Sequence, residues 1–272
     1  MGLFELRGVS KGFFVDRKKT IAKIALDKLD LSIDEGEFVS LIGPSGCGKT
    51  VTLSMMAGFD IPTMGEVLFR GKPVVAPGPE RGVVFQEYSL FPWMSVRQNV
   101  AFSVSNAAKA SGRSMAKDEV DLRVRDALGT VGLSDSIDAR PNTLSGGMKQ
   151  RVAIARLLAM DSDVFLMDEP FSALDEQTRH ALDESLFRLW RQHGKTIVFV
   201  THNISEAVLM SSRIVLFSSS PGKVLQEWEL SADLERDLAS PELIVLANEI
   251  RARMPLSSCE FMLGQEEGGA RH

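Results

Sequence analysis

Cysteine is scarce in this chain: 272 residues hold only Cys47 and Cys259. Two thiols make no disulfide framework, so small secreted scaffolds are excluded. Long apolar runs are missing too. The longest span about five or six residues, far below the ~20 a membrane-crossing helix requires. Any membrane association is therefore expected to come through a partner. Met1 to Arg7 alternate like a strand and lack the apolar core of a signal peptide. The chain opens Met-Gly, but Leu6 stands where the myristoylation pattern wants Ser or Thr. Excess positive charge is absent as well. Lys and Arg number 31 against 36 Asp and Glu, giving a net charge of −5 and a pI near 5.5. That balance argues against a dedicated nucleic-acid binder. The one short basic cluster, Arg17-Lys18-Lys19, reads as an exposed hairpin loop. No sustained repeat and no low-complexity segment is found. What remains is globular: 44% hydrophobic and 25% charged residues, enough to bury a substantial core.

The segment Gly43-Pro44-Ser45-Gly46-Cys47-Gly48-Lys49-Thr50 fits the pattern G-x-x-x-x-G-K-[ST]. It lies where the pattern has physical meaning. Before it, the apolar run Glu37 to Ile42 reads as a buried strand; after it, Thr50 to Ala57 reads as a helix. Glycines let the loop fold back so that successive backbone N–H groups converge, and the helix N-terminus adds partial positive charge. Lys49 is placed to reach the β- and γ-phosphates, and the Thr50 hydroxyl to ligate Mg²⁺. A nucleotide-binding protein is expected. Cys47 occupies a variable loop position, either as filler or as an oxidisable thiol beside the phosphates.

Leu144-Ser145-Gly146-Gly147-Met148-Lys149-Gln150-Arg151 precedes the helical run Val152 to Leu158. Ser145 is a good N-cap, and the glycines leave backbone N–H groups bare for an anion. Taken alone, the segment fits an ordinary capped helix equally well. It resembles, however, the signature of ATP-binding-cassette (ABC) ATPases. The family's usual Gln at the fifth position is Met148 here, while Ser145, Gly146 and Gly147, which would face the γ-phosphate, are intact.

Further motifs of that family follow in order. Asp163 to Met167 is a buried-strand run ending in Asp168-Glu169-Pro170. The resemblance implies that Asp168 holds Mg²⁺ through water and that Glu169 is the general base, a role typically worth ~10²–10⁴-fold in rate. Ser172-Ala173-Leu174-Asp175 resembles the loop linking the two sites of a dimer; Asp175 also suits a helix N-cap. The run Lys195 to Thr201 is another buried strand, and His202 after it matches the family's γ-phosphate contact. Gln86, after Arg81 to Phe85, matches the Gln that reaches Mg²⁺ and the attacking water. Phe13 falls where the family stacks an aromatic on adenine, with Phe14 in its place if the register slips by one. Val51 replaces a second hydroxyl, removing one hydrogen bond to the α-phosphate, a loss of roughly 0.5–1.5 kcal/mol.

The resemblance spans roughly residues 3 to 225. It implies an α/β fold: a P-loop NTPase core with a mostly parallel sheet, an N-terminal antiparallel part, and an inserted helical subdomain. The expected boundaries are 1–87 with 158–225 for the core, 88–157 for the helical signature part, and 226–272 for a short helical tail. Gly65 to Pro79, with three prolines, reads as a turn. Lys117 to Val131 reads as an amphipathic helix, as does the segment from Asp175 with Leu182, Leu186, Leu189 and Trp190. The segment from Arg81 through Gln86 to Leu90-Phe91-Pro92-Trp93, with Leu144-Ser145-Gly146-Gly147-Met148, looks most like importers of nitrate, sulfonate, taurine and related small molecules. The implied protein is the ATP-hydrolysing subunit of an importer, dimerising around ATP and Mg²⁺ (as a homodimer or a paired cassette) at the cytoplasmic face of the inner membrane. Membrane permease subunits would dock near Tyr88, Leu90, Phe91 and Trp93, unless these simply pack in the core, as is expected for at least two of them. A solute-binding protein is an indirect partner, and no nucleic acid is expected. A soluble cassette ATPase without transport, and a regulatory module without turnover, are the alternatives; retention of Glu169 and His202 argues against the latter.

Overall fold

Alternation at the amino terminus becomes strand β1, Phe4–Phe14, which buries Phe4 and Leu6 on one face and, past a register shift, Val9. The computed structural model describes residues 2–14, 21–231 and 236–255. The basic cluster at 17–19, Cys259 and the end of the tail lie outside the described residues. Tertiary contacts divide the chain into two compact units, Met1–Val75 with Val200–His272, and Ala76–Phe199.

In the first unit β1 pairs antiparallel with β2, Ile21–Ile33, from Phe4 opposite Ile33 to Phe14 opposite Ile21. Strand β3, Phe38–Ile42, is buried at every position, as expected for a strand covered on both faces. The phosphate-type loop leads into helix α1, Lys49–Ala57. The segment read as a turn from Gly65 to Pro79 holds strands instead. Strand β4, Met64–Phe69, pairs with β1 and turns back through Arg70 and Gly71, at φ 49° and 73°, into β5, Lys72–Pro73. Pro73 is tolerated because β5 is the sheet's edge, where a missing N–H breaks no ladder.

The second unit begins with β6, Arg81–Val84. Three helices follow: α2, Val96–Ala110; α3, Lys117–Thr130; and α4, Gly146–Met160. Each of the three packs on the other two. Strand β7, Val164–Asp168, runs parallel to β6, and helix α5, Glu176–His193, follows it. Its Leu182, Leu186 and Leu189 line a small apolar cavity with Ile154, Leu158, Met167 and Phe171. Strand β8, Thr196–Val200, lies beside β7 and is buried throughout.

The chain then returns to the first unit through helix α6, Ile204–Met210, and strand β9, Arg213–Phe217, which is parallel to β3. Strand β10, Val224–Glu229, pairs antiparallel with β9, and helix α7, Pro241–Arg253, follows. Beyond residue 225 a single helical stretch was expected, so β10 is a correction. Its half-buried alternation carries too few apolar residues to announce a strand. Helix α7 buries Leu243, Ala247 and Ile250 against Ile42, Ala207, Val208, Ile214 and Leu216.

Candidate functional site

In the first unit the loop before α1 is built on left-handed backbone. Gly46 and Gly48 sit at φ 75° and 98°. A Cβ on Gly48 would stand 2.5 Å from Leu26 Cδ2 and 3.0 Å from the Ala25 carbonyl oxygen, so only glycine fits. Lys49 is 7% exposed and folds over its own loop. Its Nζ donates to the carbonyls of Gly43 at 2.7 Å and Pro44 at 3.0 Å, and lies 3.5 Å from Cys47 Sγ. Ser45 and Thr50 are exposed, Pro44 and Val51 half-buried, and Gly43 and Cys47 buried. A cradle of this form, with a positive helix start, suits the phosphates of ATP. Gly222, which no sequence signal marked, crosses the loop closely: a Cβ there would fall 1.9 Å from the Cys47 carbonyl.

Phe13 and Phe14 are both exposed at the end of β1, where its pairing with β2 shifts register. The Lys11 ammonium stands 5.6 Å from the Phe13 ring. His202 is exposed on the turn between β8 and α6. A polar network steadies that turn. Thr201 Oγ1 donates to buried Glu206 Oε2 at 2.6 Å, and Asn203 Nδ2 donates to Glu206 Oε1 at 3.1 Å. Asn203 Oδ1 in turn accepts the Ser205 N–H at 2.9 Å.

In the second unit Gln86 is exposed just after β6. Ser145 caps α4, accepting from the Met148 N–H at 3.2 Å. Ser145 and Gly146 are exposed, and Gly147 is half-buried. Asp168 is buried at the end of β7, and Glu169 is half-buried at φ 45°, an unusual conformation for a side-chain-bearing residue. Asp175 caps α5: its Oδ1 accepts the Thr178 N–H at 2.9 Å and its Oδ2 the Thr178 hydroxyl at 2.8 Å. Those bonds, the backbone one foremost, hold the Asp175 carboxyl below its ordinary pKa.

The four apolar residues after Gln86 do not behave as one group, and none is fully buried. Two or more were expected in the core, so this is a difference. Tyr88 turns toward the signature, its hydroxyl 3.1 Å from where a Cβ on Gly146 would lie. Phe91 packs on Phe102 and Trp93, with ring centroids 4.8 Å and 5.6 Å away, and Trp93 is 65% exposed. The Arg156 guanidinium lies 5.5 Å from the Phe91 ring. It also donates to Ser103 Oγ at 2.9 Å and to the Ser89 carbonyl at 2.6 Å. Burial pulls its pKa below the usual guanidinium value. Phe102, Asn106, Ala107 and Arg156 line a groove of about 320 Å³ with Pro77 and Pro79. Gln150 went unnoticed beside its more familiar neighbours. It is fully buried and joins α4 to the Glu169 turn.

Fold and motifs together define a nucleotide-hydrolysing cassette. The family model described as "ABC transporter" matches residues 26–172, and the chain belongs to that family. The ABC transporter ATP-binding protein MJ0412 of Methanocaldococcus jannaschii is 44% identical over 226 residues, 83% of this chain and 82% of its own. The nitrate import ATP-binding protein NrtC of Synechocystis is 47% identical over 207 residues, 75% of this chain but 30% of that longer one. Among solved structures, a post-hydrolysis dimer of the cassette MJ0796 bound to ADP and Pi matches with a TM-score of 0.75 and 33% identity. That match covers 84% of this chain and 99% of the other. The protein is the ATPase subunit of an ABC transporter, related to importer ATPases, and it uses ATP with Mg²⁺. Among the described residues no helix is long and apolar enough to cross a membrane.

Proposed function

We propose that this chain powers import of a small solute of the nitrate, sulfonate or taurine kind by closing as a dimer around two ATP molecules. The observation that carries this reading is the exposed, Ser145-capped start of α4, whose bare N–H groups are presented outward where a second chain's nucleotide can meet them. Support comes from the 47% identity to a nitrate import protein and from the dimeric MJ0796 cassette.

Each residue then has a task. Lys49 exchanges the Gly43 and Pro44 carbonyls for phosphate oxygens, a stronger charge-assisted contact. The backbone from Gly43 to Thr50 holds the phosphates, and Phe13 stacks on adenine. Bound Mg²⁺ would supply positive charge against the phosphates. Thr50 and Gln86 would hold it directly, and Asp168 through water. Glu169 takes the proton of the attacking water, and His202 contacts the γ-phosphate. Ser145, Gly146 and Gly147 close over the partner's nucleotide. Phe91, Trp93 and Leu90 form the docking surface for a permease at the inner face of the membrane, and a solute-binding protein delivers cargo to that assembly.

Two inactive variants test the sandwich. Lys49→Ala and Ser145→Arg, mixed as a tethered dimer with the permease subunits, leave one site with an intact loop and an intact signature. Activity of up to about half per dimer is expected if the sites work independently. No recovery, or full turnover by either variant alone, would falsify the composite site. Failure to co-purify with any multi-span membrane protein would favour a cassette ATPase without transport.

A further inference from the structure

Gln150 is fully buried on α4, five residues past the Ser145 cap, and both ends of its carboxamide are used. Nε2 donates to the Glu169 carbonyl at 3.2 Å. Oε1 accepts the Ala173 N–H at 3.4 Å. The helix start rests on the same loop: a Cβ on Gly147 would meet the Ala173 oxygen at 3.2 Å and Leu174 Cδ2 at 3.4 Å. One side chain thus links the signature helix to the turn bearing Glu169 and to the loop that leads to Asp175.

That turn is held in a conformation it would not choose. Glu169 sits at φ 45°, which costs a residue with a Cβ, and the proline after it biases Glu169 toward extended backbone. Because Pro170 has no N–H, the carbonyl is the only hydrogen-bonding group of the Glu169–Pro170 peptide. It receives the Gln150 amide and the Ser172 N–H, the latter at 3.2 Å. Moving α4 relative to this carbonyl would rotate the peptide and re-aim the Glu169 carboxylate.

We propose that Gln150 is a positioning residue that aims Glu169 according to the position of its own signature helix. This rests on the sandwich reading. There, α4 of one chain closes on the partner's nucleotide while Glu169 acts on its own. Gln150 therefore couples the two sites: signature engagement at one sets the carboxylate at the other.

Gln150→Met keeps the length and burial of the side chain and removes both hydrogen bonds. In the full transporter, kcat should fall about tenfold or more while the ATP Kd stays within about twofold and the Hill coefficient drops toward one. A tethered dimer separates this role from simple support of α4. With Glu169→Gln in one chain, only the other chain's Glu169 works. Gln150→Met beside the working Glu169 should cut the remaining rate about tenfold. The same change in the Glu169→Gln chain, whose signature still closes the working site, should add no comparable loss. Equal losses in both placements, a loss only in the second, or none in either would overturn the proposal. The Lys49→Ala and Ser145→Arg mixture leaves Gln150 untouched, so failure of the sandwich itself would show separately.

Discussion

The carboxamide of Asn99 grips the backbone of Phe91 from both sides: Oδ1 accepts its N–H at 2.8 Å and Nδ2 donates to its carbonyl at 3.2 Å. Nδ2 also reaches the carbonyls of Met94 at 3.2 Å and Ser95 at 3.0 Å. A fully buried polar side chain on α2 thus shapes the loop that displays Trp93.

Asn99→Ala should leave the Phe91 N–H without its partner and release the loop. The stability cost is roughly 2–3 kcal/mol, read from urea melts. Permease binding should weaken at the same time, while ATP affinity, set by the loop at Lys49, stays near normal. Unchanged permease capture would separate this loop from docking.

Replacing Glu169 with Gln preserves shape and removes the base. ATP should still bind, turnover should fall about a hundredfold or more, and an ATP-bound dimer should accumulate in gel filtration with Mg²⁺. Near-normal phosphate release would take Glu169 out of the role.

Gly48→Ala tests the cradle. The added methyl must be accommodated at φ 98° and against Leu26, at a cost of roughly 1–3 kcal/mol. ATP affinity should drop sharply in a titration with labelled nucleotide, because the loop N–H groups lose their convergence. Wild-type affinity would mean the loop tolerates another backbone path.

Asp175 gives a pH-dependent signal. Its carboxyl titrates below the ordinary value because Thr178, first by its N–H and then by its hydroxyl, bonds the charged form. A depressed folded pKa contributes stability that is present above the unfolded value, about 3.9, and lost as pH falls through the folded one. Asp175→Asn keeps a competent N-cap but cannot titrate. Its melting temperature should match the wild type near neutrality and fall less steeply below about pH 4. Parallel curves down to pH 3 would contradict this assignment.

The sequence alone determined what depends on neighbours along the chain. The loop from Gly43 to Thr50 is legible because phosphate binding by backbone needs glycines and a Lys at set spacing. Strands β3, β7 and β8 are legible because strands buried on both faces read as unbroken apolar runs. The caps Ser145 and Asp175 are local too. Tertiary structure decided the rest. The β4–β5 hairpin hid behind its prolines, since only pairing with β1 reveals β5 as an edge. Strand β10 alternates weakly and is defined by β9 beside it. Gly222 looks like any turn glycine until the Cys47 carbonyl passes against it. Gln150 has the composition of a solvated helix face, and only the Glu169 turn packed on α4 makes it a buried link. Spacing along a chain encodes hydrogen bonds between near neighbours; those between distant segments exist only once the core has brought them together.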